Sequence, residues 1–175
     1  MRPLIIEGPD GAGKSTLLAR LSNGLDRPVF HTGGSNKDRE ELDRKCREQA
    51  DLMLQGVILD RCTFISDPLY KEALGQPLLL SPTILRARLW TLNPIIIFCC
   101  RGSSDDMLTH ILDVVKAHKP PEYLEQVKVN HPKIVAGYHR EMDRLSQEGF
   151  TILRYDWKID DYPTFEWKVL TRCAA

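Results

Sequence analysis

The sequence predicts an α/β protein, a five-stranded parallel sheet covered by helices on both faces. Three observations predict it. Apolar runs at residues 4–6, 57–59 and 95–100 are too continuous for strands with one wet face, so they read as strands buried on both sides. Helical patterns fall between the runs, and right-handed crossovers leave few arrangements other than a helix-covered parallel sheet. A glycine-rich turn follows the first run and opens an apolar-striped helix.

In chain order, the run at 4–6 is followed by a helical pattern over 16–25 and a weaker strand candidate, "RPVF", at 27–30. A helix over 37–55 repeats Leu42, Cys46, Ala50 and Met53 every three or four residues, which places them on one face. After the strand at 57–59 come a helix over 83–90, the strand at 95–100, helices over 105–117 and 123–148, and a strand at 151–153. Pro132 marks a candidate break in the last of these helices. The order reads βαβαβααβααβ, which counts a second helix, without bounds, between the strands at 57–59 and 95–100; there is no internal repeat, low-complexity tract or linker, as expected of one domain spanning residues 1–175.

Charge and cysteine content narrow the function classes. Lysine plus arginine equal aspartate plus glutamate at 24 each, so no excess advertises a nucleic-acid or membrane-surface partner, and any anion site must be local. The five cysteines show no ligand spacing, which suits a reduced, intracellular protein. The N-terminus has no leader pattern and no apolar run reaches membrane-spanning length; a cytoplasmic location is the expectation.

The turn itself reads "IIEGPDGAGKSTLLARL" and matches G-x-x-x-x-G-K-[ST] at Gly8, Gly13, Lys14 and Ser15, between a strand and a helix as the motif requires. Glycines at 8, 11 and 13 let the backbone curl so that N–H groups point at a phosphate chain, with the positive end of the helix behind them. The ATP-binding candidates are Gly8, Gly11, Ala12, Gly13, Lys14, Ser15 and Thr16; Lys14 reaches the β and γ oxygens, and Ser15 ligates magnesium. The expected fold is thus a three-layer P-loop NTPase.

Several classes share this loop. A GTPase needs N-K-x-D late in the chain, and "SNKD" at 35–38 has the wrong spacing and comes too early; a motor needs a larger body or a basic surface. A kinase of a small acceptor fits the size. In "GVILDRCTFISDPLY", residues 56–70, Asp60 and Arg61 stand where a buried strand ends, the edge at which open parallel sheets bind ligands. Asp60 is a second candidate for the magnesium shell, and Arg61 for a bidentate clamp on a second phosphate.

"EGPDGAGKST" and "DRCTFISDPLY" resemble the phosphate loop and DR motif of thymidylate kinases, over about a third of the chain, and "HTGGS" at 31–35 resembles the family's segment after the second strand. The resemblance implies transfer of the ATP γ-phosphate to a deoxynucleoside monophosphate with Mg2+. It also implies that Asp10 accepts the sugar 3′-hydroxyl, that Arg61 holds the acceptor phosphate, and that Ser66 and Tyr70 line the acceptor pocket. The chain departs from the family at Phe30, His31, Thr32 and Lys71, which leaves the acceptor base open, with Arg39 and Arg44 as stand-ins for a base-contacting arginine.

Gly11 occupies a position where some thymidylate kinases carry an arginine, so the resemblance places the catalytic cation in a lid, about residues 101–128. Arg101 is the leading candidate beside the catalytic pair Lys14 and Arg61; Lys116, His118, Lys119 and Lys128 flank a Pro-Pro hinge and read equally as a solvated face. Arg86 and Arg88 read as an exposed helix face or as acceptor-site cations; Tyr155 and Trp157 read as core or interface aromatics or as a stack for the donor base.

The expected partners are a nucleoside triphosphate and a nucleoside monophosphate, with no stable nucleic-acid or membrane partner and a homodimer left open. Two rivals remain. A deoxynucleoside kinase needs a carboxylate base at the end of the second strand, where this chain reads Phe30-His31-Thr32. A nucleotide-binding regulator would keep the loop and transfer nothing.

Overall fold

The computed structural model describes residues 2–33, 36, 38–100, 104–115 and 119–174. Five parallel strands run in the order β2-β3-β1-β4-β5, formed by β1 (Leu4–Glu7), β2 (Val29–His31), β3 (Ile58–Asp60), β4 (Ile95–Cys99) and β5 (Thr151–Tyr155). The weak candidate at 27–30 is thus a strand, shifted two residues and placed at the sheet edge, where only β3 pairs with it. Strands β1 and β4 are buried along their whole length, as their unbroken apolar runs require.

Alternation along the strands divides the core in two. Ile5, Leu59, Ile96 and Phe98 face one helical layer, made by α2 (Arg39–Leu54), α3 (Thr63–Ala73), α4 (Pro82–Leu92) and most of α6 (Pro121–Gln147). Leu4, Ile6, Ile58, Ile97 and Cys99 face the other, made by α1 (Lys14–Leu25), α7 (Tyr162–Ala174) and Met107 of α5 (Ser104–Val115).

Local chemistry explains where the helices begin. Asp38 caps α2 by accepting from the Glu41 N–H at 2.8 Å, and Glu40 and Glu41 suit the positive end of the helix dipole. Its face carries Leu42, Cys46 and Met53 into the core, as the periodicity predicts. The predicted break at Pro132 does not occur: α6 runs continuously through 27 residues, because buried Ile134, Val135, Tyr138, Met142 and Leu145 hold that helix on the sheet. Two helices were not bounded from sequence. Helix α3 occupies the DR stretch itself, and α7 follows the last strand, with Phe165, Val169 and Cys173 buried at four-residue spacing. No helix among the described residues is long and apolar enough to cross a membrane, and all five cysteines are thiols without a disulfide.

Candidate functional site

The phosphate loop leaves the carboxyl end of β1 between β3 and β4. Gly8 and Gly13 adopt φ of 147° and 83°, in the region L side chains avoid. A Cβ on Gly8 would stand 2.5 Å from the Cys99 carbonyl oxygen, so the loop fits against β4 only with glycine there. Gly13 caps α1 in the left-handed conformation, and Lys14 and Ser15 open the helix. Ser15 and Thr16 are exposed, whereas Ala12 is buried under the loop. The buried Lys14 ammonium donates to the Pro9 carbonyl at 2.7 Å, across the loop; burial lowers its pKa, with Arg61 as a further cause.

Strand register assembles the rest. Asp60 lies opposite Ile6 on one side and His31 on the other, which brings the His31 ring against its carboxylate, Nδ1 to Oδ2, at 2.8 Å. The Asp60 Oδ1 is buried with no hydrogen-bond partner among the described residues, so an acceptor remains available there. Asp60 and Arg61 do not pair with each other. Arg61 turns away in a left-handed conformation, φ 66°, and its Nη2 donates to Asp10 Oδ1 in the loop. Burial works to raise the Asp10 pKa, but Arg61 and Lys14 together hold it below its ordinary value. Burial likewise opposes the charge on Arg61; the oxygens of Tyr138, Tyr70 and Asp10 outweigh it, and the guanidinium stays charged.

The backbone at residues 61–63 is held from three elements. Glu7 Oε1 accepts from the Cys62 N–H at 2.6 Å, Thr32 Oγ1 donates to the Arg61 carbonyl at 2.7 Å, and Gln49 Oε1 accepts from the Thr63 N–H at 2.9 Å. Gln49 Nε2 also donates to the hydroxyls of Thr32 and Thr63, at 2.8 and 2.9 Å. Helix α3 has no cap of its own, and Glu7 and Gln49 supply one from a distance. These residues were missed as site residues, although each leaves a signal: Glu7 is a charge ending an apolar strand, and Gln49 a polar residue on the apolar face of α2.

Two clefts border the loop, and a smaller recess adjoins Arg61. A recess of about 170 Å³ is lined by Arg61, Ser66, Tyr70, Asn36, Asp67 and Lys71. It shares Tyr70 and Leu74 with a cleft of about 440 Å³ that reaches Asp10, Gly11 and His131. Ser66 is buried, its hydroxyl donating to the Cys62 carbonyl at 3.0 Å, and the Tyr70 ring lies 5.5 Å from the Arg61 guanidinium. Asp10, Arg61, Ser66 and Tyr70 therefore lie together. On the other side of the loop, a cleft of about 600 Å³ is lined by Gly13, Thr16, Arg20, Tyr155 and Trp157. Trp157 is 46% exposed, and a Cβ on Gly13 would meet its ring at 2.7 Å, so it is a wall of the loop rather than a core aromatic. Tyr155 is buried on Phe165.

Other candidates lie elsewhere. Arg86 pairs with Glu141 and Glu148, and Arg88 with Asp43, so neither faces the acceptor recess. Arg39 is exposed at the start of α2 and Arg44 pairs with Glu48, and neither lines the recess of Ser66 and Tyr70. Lys128 bonds Glu125 and Lys119 lies over Tyr123, as a solvated face would. Arg101, Lys116 and His118 lie outside the described residues. The α5 part of the predicted lid rests on the loop, where a Cβ on Gly11 would meet the Met107 carbonyl at 2.8 Å. A further cleft, about 810 Å³ between α3, α4 and α6, contains none of the loop residues.

No protein-family model and no curated protein sequence matches the chain. Solved structures do. The YorR protein of Bacillus subtilis, in complex with phosphorylated GDP, is 20% identical with a TM-score of 0.71, covering 98% of this chain and 95% of that one. Deoxyadenosine kinase of M. mycoides with the products dCMP and dCDP is 17% identical with a TM-score of 0.61, covering 99% of both chains. The same kinase with bound dATP is 17% identical, with a TM-score of 0.56, covering the whole of both. The chain shares the fold of these structures, a five-stranded parallel sheet with helices on both faces, and the likeness does not single out thymidylate kinases.

Proposed function

We propose that the protein is a nucleoside monophosphate kinase that transfers the ATP γ-phosphate to a deoxynucleoside monophosphate. The observation that carries this reading is Arg61, a charged guanidinium held at the junction of the phosphate loop and the recess of Ser66 and Tyr70. A cation there suits an acceptor that arrives with its own phosphate. Such an acceptor is already a nucleophile and needs no base, so positioning and positive charge supply the rate. The neighbouring carboxylates are engaged: Asp10 by Arg61, Asp60 by His31, and Glu7 by Cys62 and Tyr138.

Binding then proceeds by exchange. The acceptor phosphate replaces Asp10 on Arg61, and Asp10 turns to the sugar 3′-hydroxyl, which fixes the nucleotide in the orientation the loop requires. Lys14 leaves the Pro9 carbonyl for the donor's β and γ oxygens, with the N–H groups from Gly8 to Thr16 around them. The donor base enters the cleft of Trp157. The exposed Ser15 hydroxyl and the unpartnered Asp60 Oδ1 fit a magnesium ion, which asks for only one or two protein oxygens beside phosphates. When bound, that ion neutralises charge on the transferring phosphate.

A second reading, deoxynucleoside kinase, is supported by the similarity to the M. mycoides enzyme over the full chain. One experiment separates them: ATP and magnesium are offered with each deoxy- and ribonucleoside monophosphate and each nucleoside in turn. Diphosphate formed from a deoxynucleoside monophosphate is the expected result. Phosphorylation of nucleosides alone establishes the second reading, and no transfer to any acceptor establishes a regulator.

A further inference from the structure

Glu7 ends β1 with no exposed surface, deeper than any other described carboxylate. Its two oxygens reach opposite sides of the acceptor site. Oε1 accepts from the Cys62 N–H beside Arg61, and Oε2 from the Tyr138 hydroxyl of α6 at 3.1 Å. Tyr138 meets Tyr70 edge-on, with centroids 6.2 Å apart, and Tyr70 lies against the Arg61 guanidinium. Arg61 is thereby supported twice, in its backbone and in its side chain, from one carboxyl group.

We propose that Glu7 is the positioning residue of this site, holding Arg61 in place and exchanging its negative charge for a proton as phosphates arrive. Two cations face it, Arg61 from the β3–α3 turn and Lys14 from α1; the other titratable groups around it are Tyr138 of α6, Tyr70 of α3, Cys62 at the α3 cap and Cys99 of β4. Burial raises the Glu7 carboxyl to about 7, against the pull of the Cys62 N–H, Arg61, the Tyr138 hydroxyl and Lys14. Two of those four opposing causes are the cations that bind phosphate. Anions on Lys14 and Arg61 cancel the field that kept Glu7 ionised, and a buried carboxylate without that field takes a proton from solvent. The site then binds more negative charge without leaving an uncompensated carboxylate beneath it. By linkage, phosphates bind more tightly as pH falls through 7.

The inference rests on the proposed function only in that Lys14 and Arg61 bind phosphates. Its test is calorimetric titration of ATP, and separately of a deoxynucleoside monophosphate, in buffers of different ionisation enthalpy at pH 7. The wild type is expected to take up more protons than Glu7→Gln, by at most about half a proton per ligand, since a carboxyl near 7 is already half protonated at pH 7. The nucleotide's own phosphate protons appear in both proteins and cancel in the difference. Equal uptake by folded wild type and Glu7→Gln overturns the role of Glu7 while leaving the kinase reading intact. No binding of either ligand by folded wild type overturns both. Should Glu7→Gln fail to fold, Tyr138→Phe serves: it removes a bond to the ionised carboxyl, so the pH midpoint of uptake moves upward, and an unmoved midpoint refutes the proposal.

Discussion

Replacement of Gln49 by leucine tests whether Arg61 is aimed by its backbone. Gln49 makes three hydrogen bonds at the start of α3 while 1% exposed, and leucine has similar size and none of the polar atoms. The Thr63 N–H is left buried without an acceptor, about 1–3 kcal/mol, and two bonds to threonine hydroxyls are lost at about 0.5–1.5 kcal/mol each. Burial of the leucine offsets about 1–2 kcal/mol. The net destabilisation is about 0–5 kcal/mol, centred near ~2.5 kcal/mol, and the central value corresponds to roughly 5–10 °C in Tm for a chain of this size. Function should suffer selectively. The left-handed backbone of Arg61 costs about 1–2 kcal/mol to hold, and Thr32, which Gln49 orients, is one of its holders. Relaxation of that turn should raise the acceptor KM about tenfold, corresponding to ~1.4 kcal/mol, with the ATP KM unchanged. Thermal unfolding and steady-state kinetics on one preparation provide the check. A Tm loss with an unmoved acceptor KM would falsify the view that this clamp positions Arg61.

Lys14→Ala and Arg61→Ala should both abolish transfer in folded protein but part in binding, the first weakening ATP and the second the monophosphate; full turnover by Arg61→Ala with normal acceptor KM would remove it from the acceptor site. Stability should depend on pH through Glu7. The unfolded chain releases this proton near 4.5 and the folded chain near 7, so the folded state binds more protons in between and stability falls as pH rises across that window, by on the order of 3 kcal/mol, then levels off. Urea unfolding of Glu7→Gln at pH 5 and pH 8 should lack this fall; equal slopes in the two proteins would show that another group carries it. An analogue joining both nucleotides through their phosphates should slow hydrogen exchange across α5, which already rests on Gly11, and Arg101→Ala should lower kcat; unchanged exchange at saturation would mean the lid lies elsewhere.

Local sequence was enough for the phosphate loop, because Gly8, Gly13, Lys14 and Ser15 act within one turn whose conformation their own backbones dictate. It was enough, too, for the buried strands and the apolar face of α2, since periodicity reports burial directly. Asp10, Arg61, Ser66 and Tyr70 entered as candidates through the resemblance of two motifs to a known family, and the structure gathers these residues at one edge of the sheet. Pro132 misled because helix propensity is a local tendency, and the packing of Tyr138 and Met142 on the sheet outweighs it. What tertiary structure alone decided are the relations between residues far apart in the chain. Sheet order and register put His31 on Asp60 and Gln49 and Glu7 on the α3 cap, and seated Trp157 against Gly13. The physical reason is that a hydrogen bond or a buried charge depends on separation in space. Between β1 and α6 that separation is set by crossovers longer than any window in which sequence pattern carries information.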